Sequence, residues 1–175
     1  MWMLIAQILG LSAVGLFLLS FQFKKRGQIV FITCISNSMF VIQYLMLGAY
    51  SGAAMDFLST LSSLLASQKN QPKFRRFAKV AAVGILSLIF VTGLFLAAWQ
   101  KKPIELLAMV GALLQTMGLW FNKEQTIRKF GLAGTPFWLA YNFLTNAYGA
   151  AIGTMFTMTS ILIALLRYRK KRRDF

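Results

Sequence analysis

The sequence predicts an all-α, polytopic membrane protein. Seven transmembrane helices are arranged as three, one and three, with the two triplets forming a parallel repeat. Three observations predict it. The 175-residue chain is 58% hydrophobic and 13% charged, with a mean hydropathy of +0.64; soluble domains run nearer roughly 45–50% apolar and about 25% charged. Apolar runs of about 18–23 residues recur along it, and about 20 residues cross a ~30 Å hydrocarbon core. The breaks between runs alternate between strongly basic and almost uncharged, which places seventeen of the nineteen Lys and Arg residues on one side.

The basic side holds Lys24, Lys25 and Arg26; Lys69, Lys73, Arg75, Arg76 and Lys79; Lys123, Arg128 and Lys129; and Arg167, Arg169, Lys170, Lys171, Arg172 and Arg173. Only Lys101 and Lys102 fall on the other. Cytoplasmic loops retain Lys and Arg, so the N-terminus is expected outside and the C-terminus inside. A gained or lost span would scramble the alternation.

The spans follow in order. Leu4–Phe23 lacks a basic leader and an A-x-A-like cleavage site, so it reads as a retained first helix. Gln28–Leu47 and Tyr50–Ser67 are joined by Gly48-Ala49-Tyr50-Ser51-Gly52, a tight uncharged hairpin. Phe77–Trp99 carries only Ser87 and Thr92 as polar residues, so it is expected to face lipid. Pro103–Phe121 opens with proline and Glu105, a suitable start for a helix with an acid against its dipole. Phe130–Asn146 begins beside Arg128 and Lys129, and Asn146-Ala147-Tyr148-Gly149 turns it into Gly149–Leu166. Trp99, Trp120 and Tyr168 fall at span ends, where amphipathic rings favour the interface. Residues 1–67 thus form a first three-helix bundle, residues 68–102 a linker helix with basic flanks, and residues 103–175 a second bundle with a basic tail.

The two hairpins carry the repeat. Shifted by 98 positions, Ala147-Tyr148 lands on Ala49-Tyr50, Asn142 on Tyr44, Tyr141 on Gln43, Trp138 on Phe40 and Thr135 on Asn37. The first and fifth spans also align, Gly10 with Gly111 and Ser20-Phe21-Gln22 with Trp120-Phe121-Asn122, across a one-residue gap. An odd number of intervening helices makes the triplets parallel, about an axis along the membrane normal, as described for SWEETs.

Polar side chains inside spans are costly and therefore informative. Thr135, Trp138, Asn142 and Asn146 form one narrow helical stripe; Asn37, Phe40 and Tyr44 form its counterpart. Tyr141 stands beside the first stripe, and Gln115 and Thr116 add to it from the fifth span. Asp56 is the sharpest single residue, with Ser59, Thr60 and Ser63 on its face. A carboxylate at mid-membrane costs about 2.5–3.5 kcal/mol on insertion scales. It reads either as a cation or proton site lining a cavity or as a protonated or hydrogen-bonded structural group. The Ser and Thr residues read more simply as interhelical hydrogen bonds. Pro136, between Gly134 and the stripe, is expected to kink its helix and serve as a gating hinge or a static bend.

Several functions are excluded. There is no histidine, and Cys34 is the sole cysteine, so no metal centre and no cofactor are expected. No nucleophile–base set, paired carboxylates or phosphate loop is present, so the chain is not expected to be an enzyme. The net charge of +15 flanks apolar spans. It therefore fits anionic lipid headgroups at the cytoplasmic face, with Arg167–Arg173 as a lipid site, and not nucleic acid.

Pro103-Ile104-Glu105-Leu106-Leu107 with Gly111, and Trp138 followed by Tyr141-Asn142-Phe143, resemble the YgjV-type bacterial inner-membrane proteins. The resemblance runs over nearly the whole chain, including Gly48-Ala49-Tyr50 and the basic tail. It implies location and fold more than activity. By analogy the architecture is similar to the SWEET, PQ-loop and PnuC small-solute transporters, although fold does not determine function. The chain departs from those groups. Gln71-Pro72 reverses the PQ dipeptide and lies in a loop. Ser38 stands where a second membrane proline would match Pro136. The Trp-Asn-x-x-Trp signature is absent. The expected function is a facilitator or secondary carrier of a small polar solute, held near the midplane by Trp138, Asn142, Tyr141, Phe40, Tyr44, Asn37 and Asn146 with Asp56 tuning charge. The alternative is a non-transport membrane protein: a sensor, a lipid-binding scaffold or an accessory subunit.

Overall fold

The computed structural model describes residues 2–20 and 26–171. These form eight α-helices and, among the described residues, no strand: α1 (Trp2–Ser20), α2 (Arg26–Met46), α3 (Tyr50–Gln68), α4 (Pro72–Arg75), α5 (Ala78–Gln100), α6 (Glu105–Leu119), α7 (Glu124–Leu144) and α8 (Tyr148–Lys171). Lys24, Lys25, Arg172 and Arg173, and Phe21 and Gln22 of the span alignment, lie outside the described residues.

Several boundaries differ from the sequence expectation, among them the end of α8, which runs to Lys171 rather than Leu166. α4 is an added single turn in a basic loop, started by extended Gln71 and by Pro72 in the first turn, where a missing N–H costs nothing. α6 ends at Leu119, two residues early, and Trp120 closes it. α7 starts at Glu124 rather than Phe130, because Lys123 is extended and the polar run after it is helical. Pro136 sits inside α7, exposed on its outer side, and the helix continues through it.

The helices pair in a closed order. α1 packs on α2 and α2 on α3; α6 packs on α7 and α7 on α8. Two seams join these groups, α3 against α6 and α8 against α1, and α5 lies across the first, packing on both α3 and α6. Each triplet therefore pairs internally in the same way, and the third helix of each meets the first helix of the other.

Both short turns are built alike. After α2, the N–H groups of Leu47, Gly48 and Ala49 donate to the carbonyls of Gln43, Leu45 and Tyr44. After α7, those of Thr145, Asn146 and Ala147 donate to Tyr141, Phe143 and Asn142. Both turns need one left-handed residue: Gly48 at φ 70° and Asn146 at φ 58°. Glycine and asparagine tolerate that conformation best.

Several polar side chains are drawn into the interior while large apolar ones face outward. Gln43, Ser36, Ser51, Ser62, Glu105, Thr116, Thr135 and Asn142 are buried, while Phe77 and, on α5, Val80, Val83, Phe90, Phe95 and Trp99 are exposed. α5 is long and apolar enough to cross a membrane by length and composition; shorter apolar helical stretches are Trp2–Phe17, Cys34–Met46, Glu105–Leu119 and Tyr148–Ile163. The core gathers around α3, α6 and α7, where Tyr44, Met55, Ile89, Met109, Trp138 and Tyr141 pack together.

Candidate functional site

The shared turn geometry sets Tyr44 and Asn142 in the last turns of α2 and α7, facing each other. The Tyr44 hydroxyl donates to Asn142 Oδ1 at 2.8 Å, and Asn142 Nδ2 donates to Thr154 Oγ1 of α8 at 3.1 Å. Trp138, one turn deeper on α7, stacks on the Tyr44 ring with centroids 6.1 Å apart. Tyr141 meets both rings edge-on.

Tyr141 is fully buried and anchors a second chain of bonds. Its hydroxyl accepts from the Gly52 N–H at 2.8 Å and donates to Glu105 Oε2 at 3.2 Å. Only glycine fits at 52: a Cβ there would sit 2.7 Å from Tyr141 Cε1 and 3.2 Å from Tyr44 Cδ1. The Gly52 N–H lies in the first turn of α3, where no intrahelical partner exists. The tyrosine thus caps one helix while tying it to the start of α6. Nearby, Gln100 Nε2 donates to Ser51 Oγ at 3.2 Å, drawing the end of α5 onto the start of α3.

Asp56 lies one turn below Gly52 on α3. Its Oδ2 is buried and has no hydrogen-bond partner. Its flanking groups are occupied. Ser59 Oγ accepts from Thr116 of α6 at 3.1 Å, and Thr60 Oγ1 accepts from Asn37 Nδ2 of α2 at 2.9 Å. At ~100° per residue, Asp56 falls between Ser59 and Thr60 in azimuth. It therefore aims between α6 and α2, toward α7.

The residues expected to share a site divide into three sets. Tyr44, Asn142, Trp138 and Tyr141 meet directly, with Phe40 packed against the same core. Asn37 and Asp56 lie deeper, on the facing sides of α2 and α3. Asn146 is not with them: it occupies the left-handed turn position, is exposed, and its side chain accepts from Tyr148 at 2.9 Å. A helical stripe ends where the helix ends, and α7 ends at Leu144. Tyr44 and Asn142 stand one turn from their helix ends, so they close one end of the interior rather than occupying its middle. Thr135 is spent on its own helix, donating to the Gly131 carbonyl at 2.6 Å. Arg167, Arg169, Lys170 and Lys171 lie in the last turns of α8.

Three participants carry no strong sequence signal. Glu105 reads as a helix-start acid, yet it is buried and bonded to Tyr141. Gln43 is wholly buried against Gly10, and neither of its amide atoms has a hydrogen-bond partner. Gln7 bridges the second seam: its Nε2 donates to the Asn146 carbonyl at 2.7 Å and its Oε1 accepts from the Gly149 N–H at 2.9 Å. Lys69 also does more than orient the chain, since its ammonium donates to the carbonyls of Leu119 and Phe121 at the C-terminal end of α6, where a cation suits the dipole.

Among its described residues the chain is helical, draws polar side chains inward, exposes large apolar ones and has one helix, α5, long and apolar enough to cross a membrane: in class it is a membrane protein. The family model for Imp-YgjV, bacterial inner membrane protein, matches residues 4–172. The chain belongs to that family. Neither a curated protein nor a solved structure matches it.

Proposed function

We propose that the protein is a facilitator or secondary transporter of a small polar solute, working through a site between two three-helix bundles, and not an enzyme. The observation that carries this reading is the Tyr44–Asn142 hydrogen bond. The two residues are 98 positions apart and occupy the same place in matching turns. A residue that touches its own repeat partner lies on the axis relating the repeats. The matched pairing of α1–α2–α3 and α6–α7–α8 supports the same axis, and α5 is then the linker that keeps the triplets parallel. In this arrangement the chain spans the inner membrane seven times, with the N-terminus outside and the basic C-terminal tail among cytoplasmic anionic lipids.

The tight junction at Tyr44, Asn142, Tyr141 and Gly52 closes the outer end of the axis. Asp56, Asn37, Phe40 and Trp138 lie on its inner side, where a solute would be held. Pro136 is the flexible point of α7. Alternating access would rock one triplet against the other. The test is uptake by proteoliposomes carrying wild type, Asp56→Asn or Asn142→Ala. A solute that enters through wild type and equally through both variants would show that the axis is not the path.

A second reading has its own observation. Ser59–Thr116, Ser62–Trp120 and Asn37–Thr60 each join two helices through side chains, which is the pattern of packing bonds in membrane bundles. A sensor or scaffold role needs only these, with the tail engaging lipid or a partner. Absence of flux for any solute, with lipid retention intact, would favour it.

A further inference from the structure

We infer that the inner side of the Tyr44–Asn142 junction is a binding site for a small protonated amine, with Asp56 as the group that receives its N–H. The inference deepens the transport reading and rests on it only for the direction of access.

Asp56 shares with Gln43 and Gln125 a buried side-chain atom that has no hydrogen-bond partner, and it is the acidic one of the three. Buried polar atoms nearly always find hydrogen bonds, and each exception calls for an explanation. Asp56 Oδ2 has no donor, although donors and acceptors on both sides of it are matched: Asn37 with Thr60 and Thr116 with Ser59. Those pairs hold α2 and α6 beside α3 and leave the carboxylate aimed into the gap between them. The Tyr44 hydroxyl is committed to Asn142, and that of Tyr141 to Glu105. Gly52 seats Tyr141 and Tyr44 directly above. What Oδ2 lacks is a hydrogen-bond partner, and a cationic donor is the one that would hold Asp56 as a carboxylate.

The walls specify which cation. Tyr44 and Trp138 are stacked, and Trp138 reaches across to Gly111 of α6, where a Cβ would lie 2.8 Å from the indole Cδ1. Phe40 packs against the same cluster. Aromatic faces attract organic cations, and Trp does so best. A metal ion is poorly served. Hard cations take about six oxygen ligands, and among the described residues no group of three or more His, Cys, Asp or Glu residues could hold one. An ammonium group with a short apolar stem satisfies both halves of the site. Its N–H meets Asp56 and its stem lies against the rings. An alcohol of equal shape could donate the hydrogen bond but would leave the charge unmatched.

The test is equilibrium binding to full-length protein in lipid nanodiscs, by isothermal titration with n-butylammonium and with n-butanol. Wild type is expected to bind the ammonium about tenfold or more tightly than the alcohol, since hydrogen bonds between charged partners are the stronger class. Asp56→Asn is expected to lose that preference while keeping the alcohol affinity. Trp138→Leu should weaken the ammonium more than the alcohol. Equal affinity for the two probes in wild type overturns the inference, as does undiminished ammonium binding by Asp56→Asn. Displacement of the ammonium by sodium or potassium at equimolar concentration overturns it in favour of an inorganic cation site. If Asp56→Asn fails to fold, the wild-type comparison of ammonium with alcohol still decides. The two proposals fail separately. Selective binding without flux removes the transport reading alone, and flux of a neutral solute that ammonium does not compete with removes the amine site alone.

Discussion

Tyr44 and Asn142 hydrogen-bond each other at 2.8 Å across 98 positions of sequence. Each sits in the last turn before a helix stop of the same hydrogen-bond pattern. Their contact joins the last turn of α2 to the last turn of α7. It should behave as one energetic unit. Tyr44→Phe and Asn142→Leu are each expected to lower stability by about 1 kcal/mol, and the double variant by less than their sum, because residues in contact couple. Unfolding in mixed micelles measures the cycle. The pair Tyr44→Phe with Ser62→Ala, which share no partner, should be additive. Full additivity in the first cycle would show that the bond contributes nothing.

Gly52 is where α3 comes closest to Tyr141 and Tyr44. Gly52→Ala is expected to destabilise the protein by about 1–3 kcal/mol through overpacking, because the ring carbon 2.7 Å away belongs to a residue packed on all sides. Gly84 on α5 has open space where a Cβ would stand, with nothing within 4 Å, so Gly84→Ala should be neutral or stabilising through helix propensity. Thermal melts of the two variants side by side give the answer. A tolerated Gly52→Ala would mean that the helices part more easily than the packing implies.

Glu105 is bonded through one of its oxygens to a hydroxyl that is itself capping α3. Glu105→Leu leaves the buried Tyr141 hydroxyl without an acceptor and is expected to cost about 1–3 kcal/mol, whereas Glu105→Gln keeps an oxygen in place and should cost less than about 1 kcal/mol. Chemical denaturation in mixed micelles compares the two. Equal losses would assign the role of Glu105 to its charge.

The orientation is open to direct labelling. With Cys34→Ala as background, Lys102→Cys should react with a membrane-impermeant maleimide added to whole spheroplasts, and Arg173→Cys only after the membrane is permeabilised. The reverse pattern would invert the topology and place the Tyr44–Asn142 junction at the cytoplasmic end.

How much of this is legible in the sequence differs by residue, for physical reasons. The 98-residue offset pairs Tyr44 with Asn142 because hairpin turns are local: an Ala-Tyr step after a left-handed residue carries its own signature. Helix α5 is plain because an unbroken apolar run has one reading. Periodicity gives the direction of the Thr135–Trp138–Asn142 stripe but neither its end nor its neighbours, so it extends to Asn146 although the helix has already turned. The partners of Glu105 and Gln7 and the burial of Gln43 are hidden because they depend on helices far away in sequence. Nothing local distinguishes a glutamate that starts a helix in water from one that starts it beneath a buried tyrosine. The start of α7 is equally hidden, because polar helix and polar loop look alike until packing chooses between them.

The position of α5 has a mechanical consequence. It braces one seam of the ring, lying across α3 and α6, with Gln100 pinned to Ser51. The opposite seam, α1 against α8, is close-packed where Gly149 and Gly153 meet Gln7, Gly10 and Val14, and Gln7 bonds the turn before α8. The molecule therefore resembles a book with a spine on one side, and the rocking proposed above would part its covers at the other. A disulfide between Gln7→Cys and Gly149→Cys, in the Cys34→Ala background, should lock the covers and halt any cycle. A cross-link between Ser51→Cys and Gln100→Cys should only stiffen the spine and leave the pages free to turn.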